Sequence, residues 1–210
     1  MVRVAMVVTN ACAPDPRVLR HAVWMQEAGY RVTVHAFDRE ERHPMSENHR
    51  GVRIMRYRVG QVPYGGTVST YRGIRRFLRV VERTLSNDPP ALVYCHDADT
   101  LQVGCAMKNG HGIPFVFDMH DLQHTWVRYA APQSTLRAMV SRRLKHRMLH
   151  RASQAAAIIT SSQQVKTDGR RGFVEWLAHH DLEGRAVENR PLPPFGERKV
   201  EPTTAWTVGY

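Results

Sequence analysis

Cysteine is scarce in this chain of 210 residues, and the little there is has no pattern. Cys12, Cys95 and Cys105 are odd in number and lack C-x-x-C spacing, which argues against a disulfide framework or a zinc ribbon and points to a reducing, cytoplasmic setting. No stretch approaches the roughly 18 consecutive apolar residues of a membrane-spanning helix. The opening Met1–Val8 faintly mimics a secretory leader, with Ala11-Cys-Ala13 as its cleavage site. Its apolar run is short and is broken by Thr9 and Asn10, so it reads as a buried first strand. The phosphate-cradling signatures G-x-x-x-x-G-K-[ST] and G-x-G-x-x-G are missing, as is the nucleophile elbow G-x-S-x-G. Lysine is nearly missing too: arginine supplies 26 of the 30 basic residues, against 19 acidic ones, for a net charge of +11. Such a balance favours anionic partners but carries no information about fold.

What remains is ordinary soluble composition, with 42% hydrophobic and 23% charged residues. The length suits one large domain, or one and a half, at about 150 residues per domain. Short β-branched runs alternate with helix-period segments, which predicts an α/β fold: a Rossmann-like, doubly wound parallel sheet of about six to seven strands. Strands are expected at 4–8, 31–37, 52–57, 91–95, 115–117 and 155–160, with a short last one at 186–188. Helices are expected after Asp15-Pro16, over 67–85, near 99–109, over 134–151 and, briefly, at 173–179. Residues 38–50 and 58–66 read as polar loops. A proline-rich stretch then leads to Ala205–Tyr210, which reads as a new strand cut off as it begins.

Four polar clusters follow directly on expected strands: Thr9-Asn10 through Asp15-Pro-Arg17, His96-Asp97-Ala-Asp99, His120-Asp121-Leu-Gln-His124, and Thr160-Ser161-Ser162. In an open parallel sheet ligands bind beyond the carboxyl ends of the strands, so these clusters should line one rim. The alternative is that each is only a cap, since Asp15, Asp99 and Ser161 or Ser162 all suit helix N-termini. His96, His120 and His124 with nearby carboxylates have the chemistry of divalent-metal ligands, although twelve histidines will produce such pairs by chance. The helix over 134–151 gathers Leu136, Met139, Val140, Leu144 and Met148 on one face among arginines, with no acid between Ser134 and Arg151. It suits either an anionic membrane surface or a solvated outer helix packed on the sheet. The Arg72–Arg83 face is similar. No recognition motif accompanies the charge, so nucleic acid is not expected as a partner.

In this order the motifs resemble the amino-terminal half of glycosyltransferase family 4, retaining enzymes of the GT-B fold. The likeness is carried by the first strand with Asp15-Pro-Arg-Val18, by Ala28-Gly-Tyr-Arg-Val-Thr-Val34, and by Tyr94-Cys-His-Asp97. Phe117-Asp-Met-His-Asp121, Ile158-Ile-Thr-Ser-Ser162 and Val187-Glu-Asn-Arg-Pro191 continue it. It spans about residues 2–195 and implies one Rossmann-like half of a GT-B enzyme, on the acceptor side. His120 would stand beside the transferred sugar as the catalytic residue, positioning or polarising it. Asn10, Arg17, Asp97, Asp121 and Ser161 would contact acceptor or substrate. The resemblance implies no metal and no cofactor beyond a nucleotide-sugar co-substrate.

The resemblance also sets the expected domain layout: 1–195 as the amino-terminal glycosyltransferase domain, and 196–210 as linker and truncated first strand of a missing carboxyl-terminal domain. The donor pocket belongs to that domain, so a nucleotide sugar becomes a partner only if it is supplied, and the chain alone is expected to be inactive. Two other readings stand beside this one. One is a non-catalytic basic module at the inner membrane face, held there through its Arg-rich helices. The other is a metal-dependent hydrolase using His96, His120 and His124.

Overall fold

The computed structural model describes residues 1–62, 68–161 and 172–187. Eight strands and six helices occur among them: β1 (Arg3–Val8), α1 (Pro16–Glu27), β2 (Arg31–Phe37), β3 (Ser46–His49), β4 (Val52–Tyr57), α2 (Val68–Asn87), β5 (Leu92–His96), α3 (Asp97–His111), β6 (Phe115–Met119), α4 (Gln123–Trp126), α5 (Thr135–Ala152), β7 (Ala157–Thr160), α6 (Phe173–Ala178) and β8 (Arg185–Ala186). The strands form one sheet in the order β3-β4-β2-β1-β5-β6-β7-β8. Every pairing is parallel except β3 with β4. The α/β expectation holds, and the strand order reverses between β1 and β5, where a doubly wound sheet opens its crevice.

The central strands read as nearly continuous apolar runs because both their faces are covered. Alternate residues point to opposite sides. Val4, Met6 and Val8 of β1 join Val18 and Ala22 of α1 in one core. Ala5 and Val7 face the other core, with Phe77 and Val81 of α2, Leu101 and Met107 of α3, and Met148 of α5. Asp15 caps α1, its Oδ1 accepting from Val18 N at 3.1 Å, and Pro16 occupies the first turn, where a missing N–H costs nothing.

Strand β3 falls inside the stretch read as a loop. It is an antiparallel edge strand, Ser46-Glu-Asn-His49, with no apolar face to betray it; buried Arg56 of β4 holds it through Glu47 Oε2 at 2.7 Å. The apolar face drawn for α5 also divides. A helix turns 100° per residue, and the stripe that meets the core is Ser141, Met148 and Ala152, so Leu136, Met139 and Val140 point outward. The end of the expected last strand at Glu188, the proline-rich stretch and the 205–210 segment lie outside the described residues.

Helix α3 lies unusually close to the sheet at Gly104. A Cβ there would stand 2.7 Å from the Phe115 ring and 2.8 Å from Cys95 Sγ. We therefore expect Gly104→Ala to destabilise the chain by about 1–3 kcal/mol, read as a lowered urea midpoint with unchanged slope.

Buried histidines give the fold a pH dependence. Burial lowers both His21 and His35 to about 4, below the ordinary histidine value, so each is neutral in the fold and the unfolded chain binds the extra proton. Stability should fall as pH drops from about 6.5 to about 4, by up to about 3 kcal/mol per histidine. Urea unfolding across that range checks this, and the slope should flatten in His35→Gln.

Candidate functional site

The carboxyl ends of β1, β5, β6 and β7 all point one way, so the four polar clusters do share one rim. Adjacent strands are about 4.8 Å apart, and only β5 separates β1 from β6, which puts Asn10 and His120 on the same edge about 10 Å apart along the sheet. Ser161 is half-buried just beyond β7, and Ser162 lies outside the described residues.

Beneath the rim lies a buried polar network. Asp118, on β6, takes two bonds from Arg17 of α1: Nε to Oδ2 at 2.9 Å and Nη2 to Oδ1 at 2.5 Å. His96 Nδ1 of β5 sits 3.1 Å from the same Oδ2. The remaining guanidinium nitrogen, Nη1, donates to Val187 O at 3.0 Å, just past β8. His21 Nδ1 pairs with Tyr94 Oη at 2.9 Å and lies 3.6 Å from Asp118. Burial alone would raise the Asp118 carboxyl, but the hydrogen bonds from His96 and Arg17 outweigh it and hold the group well below the usual range. Arg17 spends all three nitrogens on the protein and acts here as a strut. Sequence reasoning gives no role to Asp118, His21 or Tyr94, and marks His96 only as a polar-cluster residue and a metal-ligand candidate. The available signal is an acid near the end of a buried strand, in a chain with an arginine in the first turn of α1.

Asn10 is also committed locally: Nδ2 donates to Asp15 Oδ2 at 2.8 Å and Oδ1 accepts from Cys12 N at 2.7 Å, which shapes the β1–α1 loop. Thr9 Oγ1 reaches across to Asp99 Oδ2 at 2.8 Å. The cap of α3 is His96 rather than Asp99; Asp97 and Asp99 fill its first turn, where the helix dipole favours negative charge. Asp97 adopts φ 68, a left-handed conformation that costs a non-glycine residue energy and that clusters at ligand sites.

The atoms left over gather above this network. Among the described residues, five buried side-chain atoms have no hydrogen-bond partner: His96 Nε2, Asp97 Oδ1, Asp99 Oδ1, His120 Nδ1 and His124 Nδ1. Four belong to the β5 and β6 ends. His120 Nε2 is 3.3 Å from Asp97 Oδ1, close enough for attraction but without hydrogen-bond alignment. Burial, then the charges of Asp99, Asp121, Asp118 and Asp15, push the Asp97 carboxyl well above its ordinary value. Burial lowers His120, so it presents a neutral imidazole near pH 7. Burial also pushes the Cys12 and Cys95 thiols up to about 12, which removes both as nucleophiles.

Ligand atoms of Asp97, His120 and Asp121 lie within 4.8 Å of one another, so these three can face one cation or one cluster of hydroxyls. The histidine trio expected of a hydrolase does not assemble. His96 is buried against Asp118, and His124 stacks on Trp176 with ring centroids 6.0 Å apart.

Residues 13–176 match the model of the glycosyl transferase 4-like domain. The chain belongs to that family. No curated protein matches it. Among solved structures it is similar to sucrose-phosphate synthase from Thermosynechococcus elongatus, with a TM-score of 0.67 at 14% identity, covering 90% of this chain and 48% of that one. It is also similar to UGT89C1 of Arabidopsis thaliana complexed with UDP-L-rhamnose, with a TM-score of 0.51 at 13% identity, covering 97% of this chain and 52% of that one. A ugt transferase from Siraitia grosvenorii in complex with UDP gives a TM-score of 0.52 at 10% identity, over 94% of this chain and 52% of that one. The glycosyl transferase 4-like chain thus spans about half the length of the transferases it resembles, and its fold is the Rossmann-like fold of GT-B glycosyltransferases.

Two substitutions separate strut from site in this family member. Removing one partner of the Arg17–Asp118 pair strands a buried charge, so Arg17→Ala should destabilise by about 3–5 kcal/mol in urea unfolding. Asp97→Asn should act in the opposite sense. A carboxyl raised in the fold contributes stability below its unfolded value near 4, and that stability is lost as pH rises through the folded value. Near pH 7 Asp97→Asn should therefore melt above the wild type, with the gap closing towards pH 4.

Proposed function

We propose that this chain is the acceptor-side domain of a retaining glycosyltransferase, working with a nucleotide-sugar donor held by a second Rossmann-like domain. The observation that carries the reading is the collection of unpartnered atoms on Asp97, Asp99 and His120 at the β5–β6 rim of a glycosyl transferase 4-like fold. Carboxylate oxygens accept from hydroxyls, and a neutral imidazole accepts at one nitrogen and donates at the other. The rim therefore suits a sugar, which brings many hydroxyls and no charge. Arg17 is turned inward onto Asp118, and the rim's own charge is negative, so this side favours hydroxyl groups over phosphate.

In this reading His120, with Asp97 3.3 Å away, holds a hydroxyl of the transferred sugar or acceptor at the carboxyl edge of the sheet. It positions and polarises that group and forms no covalent bond to it. Charge on the departing diphosphate is stabilised from the donor side, by fixed donors arranged before the reaction. The two UDP-bearing transferases support a nucleoside-diphosphate sugar as donor class. Their doubled length supports a donor domain beside residues 1–195, with 196–210 as the connection.

Saturation-transfer NMR of the purified chain against a panel of neutral mono- and disaccharides tests the reading. At least one sugar should bind, and His120→Ala should weaken it by about tenfold or more while melting like the wild type, as loss of a hydrogen bond to a neutral ligand in a buried site predicts. No sugar bound, or binding indifferent to His120→Ala, overturns it.

A further inference from the structure

Apart from Arg17 and Arg39, which bond to groups at or beneath the rim, the positive charge lies elsewhere, and much of it falls in one stretch. From Leu122 to Thr167 the sequence contains no aspartate or glutamate, while Arg128, Arg137, Arg142, Arg143, Lys145, Arg147 and Arg151 fall in its described part. That part comprises α4, the following turns and α5. The two helices form one unit: Ser141 Oγ donates to His124 O at 2.6 Å and Arg137 Nη1 to Val127 O at 2.9 Å.

The outward stripe of this unit is not merely charged. Leu136 and Met139 are 64% and 62% exposed, and they lie with Val140 at i, i+3, i+4 spacing on the face that continues into Arg143 and Arg147. Tyr129 is 74% exposed and Trp126 about half. Three features of an interfacial surface therefore coincide on this stripe: projecting alkyl tips, flanking arginines and no acid to repel an anion.

We propose that the α4–α5 face docks on an anionic lipid bilayer. Leu136 and Met139 enter the headgroup boundary, and Arg142 and Arg143 face lipid phosphates. Charge complementarity selects the bilayer over a neutral partner, and the projecting alkyl tips select it over nucleic acid, whose phosphates would leave Leu136 and Met139 in water. The basic helix α2 reinforces the docking from the same side of the sheet, since α3 packs against both α2 and α5. Helix α4 begins two residues after Asp121, so a bilayer held here lies beside the rim. The inference does not depend on the glycosyltransferase reading, which sugar binding tests separately.

Co-sedimentation of the purified chain with vesicles decides it, using phosphatidylcholine alone and phosphatidylcholine with phosphatidylglycerol. The chain should pellet only with the anionic vesicles and should be released as salt rises from about 0.1 to 1 M, where the screening length falls from about 10 to 3 Å. Arg142→Glu with Arg143→Glu should weaken partitioning at least about tenfold, since each basic residue near such a surface contributes about 1 kcal/mol. Leu136→Ser with Met139→Ser leaves every charge in place and should also weaken it several-fold. All four side chains are exposed, so both variants should melt like the wild type. No binding to anionic vesicles overturns the proposal. So does binding that neither variant changes, binding lost only on Arg72→Glu with Arg79→Glu in α2, or retention by a nucleic-acid oligomer in preference to vesicles.

Discussion

A single buried ion pair, Arg17 with Asp118, constrains everything around it. Both side chains are nearly inaccessible, at 5% and 0% exposure, and neither can be left alone there without a penalty of several kcal/mol. Satisfying the pair requires the first turn of α1, the end of β6, His96 from β5 and the backbone at Val187 to meet at one point. Those are distant parts of the sequence. Their meeting point is the carboxyl edge of the sheet at its reversal, where the topology of a doubly wound fold already places a crevice.

The network divides the polar residues of that edge into two groups. Arg17, Asp118, Asn10 and Asp15 satisfy one another and the backbone, so they hold the loops. Asp97 and Asp99 at the start of α3 and His120 just after β6 keep atoms without partners, above the network. Charge is sorted in the same way. The rim is acidic and its carboxyls raise one another, whereas ten of the 26 arginines of this strongly basic chain lie on α2 and α5. The hydroxyl-rich ligand proposed for the edge and the anionic surface proposed for the helices would therefore meet different side chains.

Much of this was legible beforehand. The alternation of Val4, Met6 and Val8 against Ala5 and Val7 marks a strand buried on both sides, and Asp15-Pro16 marks the start of α1. What could not be read follows from tertiary context. Ser46–His49 has no apolar face because an edge strand in solvent needs none. The α5 stripe was drawn through Leu136 and Met139 by hydrophobicity, yet packing against α3 and α4 selects Ser141, Met148 and Ala152, two of them small enough for close approach. The rim residues were found from their position after strands. Asp118 was passed over because a single acid inside Phe-Val-Phe-Asp-Met looks like part of a strand until its arginine is known.

The central claim is that the Arg17–Asp118 pair is a strut beneath the proposed sugar-binding rim, and a replacement that keeps the fold while removing the pair tests it most directly. In Arg17→Met with Asp118→Leu no charge is stranded, so the double variant should unfold at a urea midpoint near that of the wild type. The account predicts that it nevertheless loses saturation transfer to every sugar the wild type binds, because His96 and the His120 loop lose their anchor. A folded double variant that binds those sugars as well as the wild type would contradict it.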